Sequence, residues 1–217
     1  PNTGDEADVI NLSLGAVVAP WFLAVLAGKT EEVVVVTPLL EGMRRAVDLG
    51  KLVVVAAANA AGHYTLNLLC GVQGVICVGS SNQMGTGVRG DDRLSWFSSR
   101  GPMPWYDVGP TLVAPGENIY STIPTALATK LGLEEPALTA SGTSLAAPHV
   151  SGALALLLEH YRELGRSLTV DTATRLLVHS STSILTTEAS NIASNIAGPH
   201  EAGAGLLNVY NAAFSDM

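Results

Sequence analysis

The residues with the clearest chemical potential lie in Gly142-Thr143-Ser144-Leu145-Ala146-Ala147-Pro148-His149, which runs into an apolar helical pattern ending near Leu164. A serine just inside a helix start sits at the positive end of the helix dipole, beside N–H groups that no helical carbonyl reaches. Such groups can receive the negative charge that develops on a carbonyl oxygen during acyl transfer, so the position suits a nucleophile. Gly-Thr-Ser is also an ordinary helix cap, because Ser and Thr are favoured at helix N-termini. A second polar group ends the apolar run Lys51-Leu52-Val53-Val54-Val55-Ala56-Ala57-Ala58-Asn59. The carboxyl ends of strands line the functional crevice of open α/β sheets, which places the Asn59 amide well, although Asn is equally a common turn former.

The elements that must hold these two residues follow from the apolar pattern. The continuous run 52–58 belongs to a parallel-sheet strand covered on both faces. Val9-Ile10-Asn11-Leu12-Ser13-Leu14-Gly15 reads as a short buried strand ending in glycine, and Gly74-Val75-Ile76-Cys77-Val78-Gly79 as another. Between the first two, Val33 to Val36 favour an extended segment, because β-branched residues in succession restrict helix rotamers. Thr37-Pro38 then opens a helix with Leu39, Met43, Ala46 and Val47 on one face and Gly50 as its stop. Residues 81–93 read as a surface loop, and 112–122 as two strands around a Pro-Gly turn. The Ser144 helix carries Val150, Leu154, Leu157, Leu158 and Tyr161 at core spacing, and a helix capped by Thr169 buries Ala173, Leu176 and Leu177. Residues 182–202 read as an exposed excursion, before a Gly203–Gly205 turn enters a final helix. The fold class is α/β, three layers with a mainly parallel sheet, in one domain.

With 217 residues, 47% of them hydrophobic, the chain has material for one ordinary core. Nineteen acidic against eleven basic residues give a net charge of -8 without any Lys/Arg run, which argues against a nucleic-acid or anionic-membrane partner. No apolar stretch has the length of a membrane span, and a polypeptide or small ligand fits better. Five scattered histidines offer no helical ligand pair, so neither a metal nor a cofactor is expected. The two cysteines, Cys70 and Cys77, are too few for a disulfide scaffold. A bridge between them requires the segment before the strand to fold back, and the sequence leans against it.

Six segments in order carry a resemblance. They are the 9–15 strand, the run ending at Asn59, Phe97-Ser98-Ser99-Arg100-Gly101-Pro102, Val113-Ala114-Pro115-Gly116, the block from Gly142 to Gly152, and Gly205-Leu206-Leu207-Asn208-Val209. Together they resemble the subtilisin-like serine proteases, the Ser144 block most specifically. The resemblance implies Ser144 as nucleophile, with its own N–H and the Asn59 amide forming an oxyanion hole that Thr143 assists. It implies Ser13, Leu14 and Gly15 along the substrate backbone and beside the specificity pocket, with Ala57 and Ala58 forming its other wall. His149 matches a structural histidine of that family. The substrate implied is a polypeptide, and the compartment a secretory one.

The sequence departs from the family at the triad. The family's Asp-Thr-Gly-like and His-Gly-Thr-His-like motifs, which precede the serine, do not occur. Residues 1–217 therefore resemble the carboxyl-terminal part of a single peptidase domain, incomplete on its N-terminal side. The triad's Asp and His are expected from a missing N-terminal part or a companion chain, and this chain alone is expected to be nearly inactive. His63 is not read as a substitute base, because a base needs direct reach and an orienting carboxylate. A catalytically inactive subunit of a larger assembly and an ester hydrolase are the alternatives. Ala58 stands where the family usually has Gly, which would narrow the pocket, and residues 16–36 look longer than the family's connection, a candidate docking surface.

Overall fold

The computed structural model describes residues 6–15, 37–103, 109–187 and 195–214. Its centre is a sheet in which β1 (Val9–Leu12), β2 (Leu52–Ala56), β3 (Ile76–Asn82) and β5 (Leu112–Pro115) are mutually parallel. The short β4 (Arg93–Leu94) closes antiparallel on the end of β3. The two-residue period of a strand sorts the side chains into layers. Leu52, Val54 and Ala56 pack with Ile76, Val78, Leu112 and Ala114 on one face, while Val53, Val55 and Ala57 pack with Val75 and Cys77 on the other.

The first face is covered by α3 (Thr143–Glu163), with Val150, Leu154, Leu157 and Tyr161 buried, and by α4 (Val170–Ser180). The second is covered by α1 (Thr37–Asp48) and a 3-10 turn at Leu68–Gly71. On α1 the buried stripe is Leu40, Met43, Ala46 and Val47, so Leu40 replaces Leu39, which is exposed. Gly50 ends this helix in the left-handed region, at φ 78°, and its N–H donates to Val47 O. The Thr169 hydroxyl accepts from Thr172 N at 3.1 Å and caps α4 as expected. The strands on either side of Pro115-Gly116 do not pair with each other. β5 joins the main sheet, whereas β6 (Ile119–Thr122) leaves it to pair antiparallel with β7 (Ala137–Ala140), across α2 (Thr125–Leu131). The chain closes with α5 (Pro199–Ala202) and α6 (Val209–Phe214).

Two expectations are corrected. Cys70 and Cys77 are bridged, with Cα atoms 5.2 Å apart, because the 3-10 turn folds the chain back against β3. The expected excursion over 182–202 is in its described parts packed: Ile184 and Ala202 are buried with Leu94, Val113 and Leu206, and Leu185 is buried as well. The tetravaline, the 16–36 surface and the Thr37 side chain lie outside the described residues.

Candidate active site

At the carboxyl ends of β1 and β2 a cleft of about 290 Å³ is lined by Ser13, Leu14, Gly15, Ala56, Ala58, Asn59, Asn67, Thr143 and Ser144. The two polar groups singled out from sequence, 85 positions apart, thus meet in one place. Gly142 is the N-cap of α3 and makes no side-chain cap, so Ser144 is not a capping serine. Asn59 turns its carbonyl toward the helix start, where Oδ1 accepts from Thr143 N at 2.8 Å and from Thr143 Oγ1 at 2.9 Å. That fixes the amide plane and leaves Nδ2 without a partner among the described residues. The Ser144 N–H likewise has none, as expected for the first turn of a helix. Two unpaired donors therefore flank a half-buried serine hydroxyl.

A proline fixes the other side of the serine. Pro148 inside α3 has no N–H for the carbonyl of Ser144, four residues earlier. That carbonyl accepts instead from Ser13 Oγ at 2.9 Å, and Ser144 Oγ lies 3.4 Å from Ser13 O. Ser13 is thereby locked to the nucleophile candidate. Leu14 and Gly15 continue past it with backbone N–H groups that have no partner among the described residues.

The loop after Asn59 is held by the Phe97 to Arg100 segment. Ser99 N donates to Ala58 O, Ala60 N to Ser99 Oγ, Ala61 N to Phe97 O and Arg100 N to Gly62 O. These bonds support an unusual backbone, since Ala58 has φ 86° and Ala61 φ 52°. A Cβ in that region costs about 1–2 kcal/mol. Ala58→Gly is expected to raise unfolding stability by about 0.5–1 kcal/mol once the extra chain entropy of glycine is subtracted. Urea denaturation of the two proteins measures it, and a loss of stability would contradict the strain.

Ala57 is the one expected lining residue that the cleft lacks. Its side chain is fully buried in the opposite layer with Val53 and Val55, whereas Ala56 and Ala58 line the cleft. Asn67 was not anticipated at all. It is 1% exposed, and its Nδ2 donates to Leu14 O at 2.9 Å and Ala56 O at 2.8 Å while Oδ1 accepts from Leu69 N. Among the described residues no histidine or carboxylate lines the cleft. His149 is exposed and donates from Nδ1 to Leu145 O within its own helix, and His63 donates from Nδ1 to Gly101 O at 2.7 Å, outside the cleft.

A model of the subtilase family matches residues 2–204. The chain belongs to that family. Subtilisin DY of Bacillus licheniformis is 31% identical over 97% of this chain, and the major intracellular serine protease of Bacillus subtilis (strain 168) is 35% identical over 73%. The chain spans 58% and 39% of the lengths of those two relatives. Among solved structures, a lanthipeptide protease matches all of this chain and 63% of its own, with a TM-score of 0.68 at 20% identity. The patellamide maturation protease PatA matches 97% of this chain and 63% of its own, at 0.66 and 23%. At such identities the likeness concerns the fold, and it agrees with the three-layer α/β/α arrangement expected from sequence. By name this subtilase has both an intracellular relative and an extracellular one, the extracellular basic protease of Dichelobacter nodosus. Among the described residues no helix is long and apolar enough to cross a membrane.

Proposed function

We propose that this chain carries the nucleophile and oxyanion hole of a serine endopeptidase. Ser144 Oγ gives its proton to a base and bonds to a peptide carbonyl carbon, whose oxygen becomes negative between Ser144 N–H and Asn59 Nδ2. The protonated base then gives its proton to the leaving amine as the C–N bond breaks, and water hydrolyses the acyl ester on Ser144. The observation that carries this reading is a serine at a helix start between two donors that have no partner among the described residues. An extended peptide substrate would lie along Ser13, Leu14 and Gly15, whose N–H groups at Leu14 and Gly15 have no partner among the described residues and suit backbone pairing.

The base and its orienting carboxylate come, in this reading, from polypeptide outside these 217 residues, as a preceding segment or a companion chain. The exposed side of β1 supports this, since among the described strands β1 pairs only with β2 and is partly exposed along its length. An oxidising, secretory compartment is the matching location, supported by the Cys70–Cys77 bridge, because such bridges rarely persist in a reducing cytosol. The second reading, an inactive subunit that keeps the fold, draws on the lack of a histidine or carboxylate among the described residues of the cleft lining.

Labelling of the native protein with a fluorophosphonate, followed by intact-mass analysis and peptide mapping, separates the two. The expected result is one adduct on Ser144 in material that also contains the triad Asp and His. An unlabelled Ser144 in that material would leave the inactive subunit as the better reading.

A further inference from the structure

Asn67 lines the cleft yet takes no part in the chemistry above. We propose that it closes the cleft floor and restricts the residue on the acyl side of the scissile bond to a small, uncharged side chain such as Ala or Ser. The inference rests on Ser144 being the nucleophile.

The geometry begins with where the amide is tied. One Nδ2 hydrogen goes to Leu14 O in the β1 wall and the other to Ala56 O in the β2 wall, so Asn67 bridges the two walls. Its Oδ1 accepts from Leu69 N, which caps the 3-10 turn that begins at Leu68. With both donors used and the side chain 1% exposed, rotation out of the cleft breaks three bonds in a buried setting. The floor is therefore fixed. It also sits high against the first wall: a Cβ built on Gly15 would come within 2.0–2.3 Å of the Asn67 amide atoms. The amide fills the space beside Gly15, where a larger side chain from substrate would otherwise enter.

Size and charge follow. About 290 Å³ must accommodate the reacting carbonyl as well as the side chain, at the small end of ligand sites. Among the described residues no ionisable side chain lines the cleft, so a substrate Lys, Arg, Asp or Glu would be desolvated there without a partner from them. Asn67 has no free donor to offer a polar substrate group, so it acts by occupying space.

The test uses the native protein with its triad residues present. Peptidyl diphenyl phosphonates ending in the Ala, Phe and Lys analogues are compared by their second-order rates of labelling Ser144, with a simple fluorophosphonate as control. The Ala analogue is expected to react at least roughly tenfold faster than the other two. Asn67→Gly is expected to move the Phe-to-Ala ratio toward Phe by roughly tenfold. Asn67→Ser, which keeps a hydroxyl for one of the walls, is expected to shift it less. Ratios taken within each protein cancel a change in folded fraction, and the wild-type ratio decides even where a variant does not fold. Equal Ala and Phe rates in the wild type, or an unmoved ratio in a folded variant, overturn the proposal while Ser144 labelling stands. An unlabelled Ser144 with the simple fluorophosphonate removes the nucleophile reading itself, and this inference with it.

Discussion

Ser144→Ala is expected to abolish fluorophosphonate labelling and to lower kcat of the complete protease by about a millionfold, the scale known for loss of the nucleophile in subtilisin. Stability should change by no more than about 0.5 kcal/mol, the range of substitutions away from special structural features. The reason is visible in the contacts. Among the described residues the hydroxyl of Ser144 makes one long contact, 3.4 Å to Ser13 O, and caps nothing. The bond from Ser13 Oγ ends on the backbone carbonyl of Ser144 and survives the substitution. The capping alternative predicts the opposite pattern, a stability loss of about 1 kcal/mol with little effect on chemistry. Measuring kcat on a peptide substrate beside a denaturation curve distinguishes them, and a destabilised variant that still turns over would remove Ser144 from the mechanism.

How legible the site was in sequence depended on how local its determinants are. Ser144 and Asn59 stood out because each ends or begins a strongly patterned element, a parallel strand or an apolar helix, and such elements fix the direction of their termini. The layers were legible for the same reason. Ala57 follows the two-residue period of β2, which sets it with Val53 and Val55 on the face away from the cleft. Asn67 gave a weaker signal. Its cap to Leu69 N is local, but the bonds that make it a floor reach Ala56 and Leu14, 11 and 53 positions away. The Cys70–Cys77 bridge depends on that same turn, so its geometry was also unreadable from spacing. In Phe97-Ser98-Ser99-Arg100, the absence of reactive groups hid a scaffold whose backbone bonds hold Ala58 in its left-handed conformation.

Asn59 has two roles that two substitutions can separate. Its Oδ1 satisfies the N–H and hydroxyl of Thr143, a fully buried residue, and its Nδ2 is the donor left facing the cleft. Asn59→Leu removes both roles. It is expected to lower kcat by about 10²–10³, as loss of an oxyanion-hole donor does in subtilisin, and to destabilise the fold by about 1–3 kcal/mol through unpaired Thr143. Asn59→Asp keeps an acceptor for Thr143 and puts a carboxylate oxygen where Nδ2–H stood. Stability is then expected to stay within about 1 kcal/mol of the parent, because the buried Thr143 groups remain paired. The rate is expected to fall at least as far as in the Leu variant, since a negative group now faces the developing oxyanion. KM should move little in either variant, because a donor that engages only the transition state does not hold the ground state. Should Asn59→Asp keep the parental kcat while losing stability, Asn59 would be a brace for the start of α3 alone, and the donor pair around Ser144 would lose its second member.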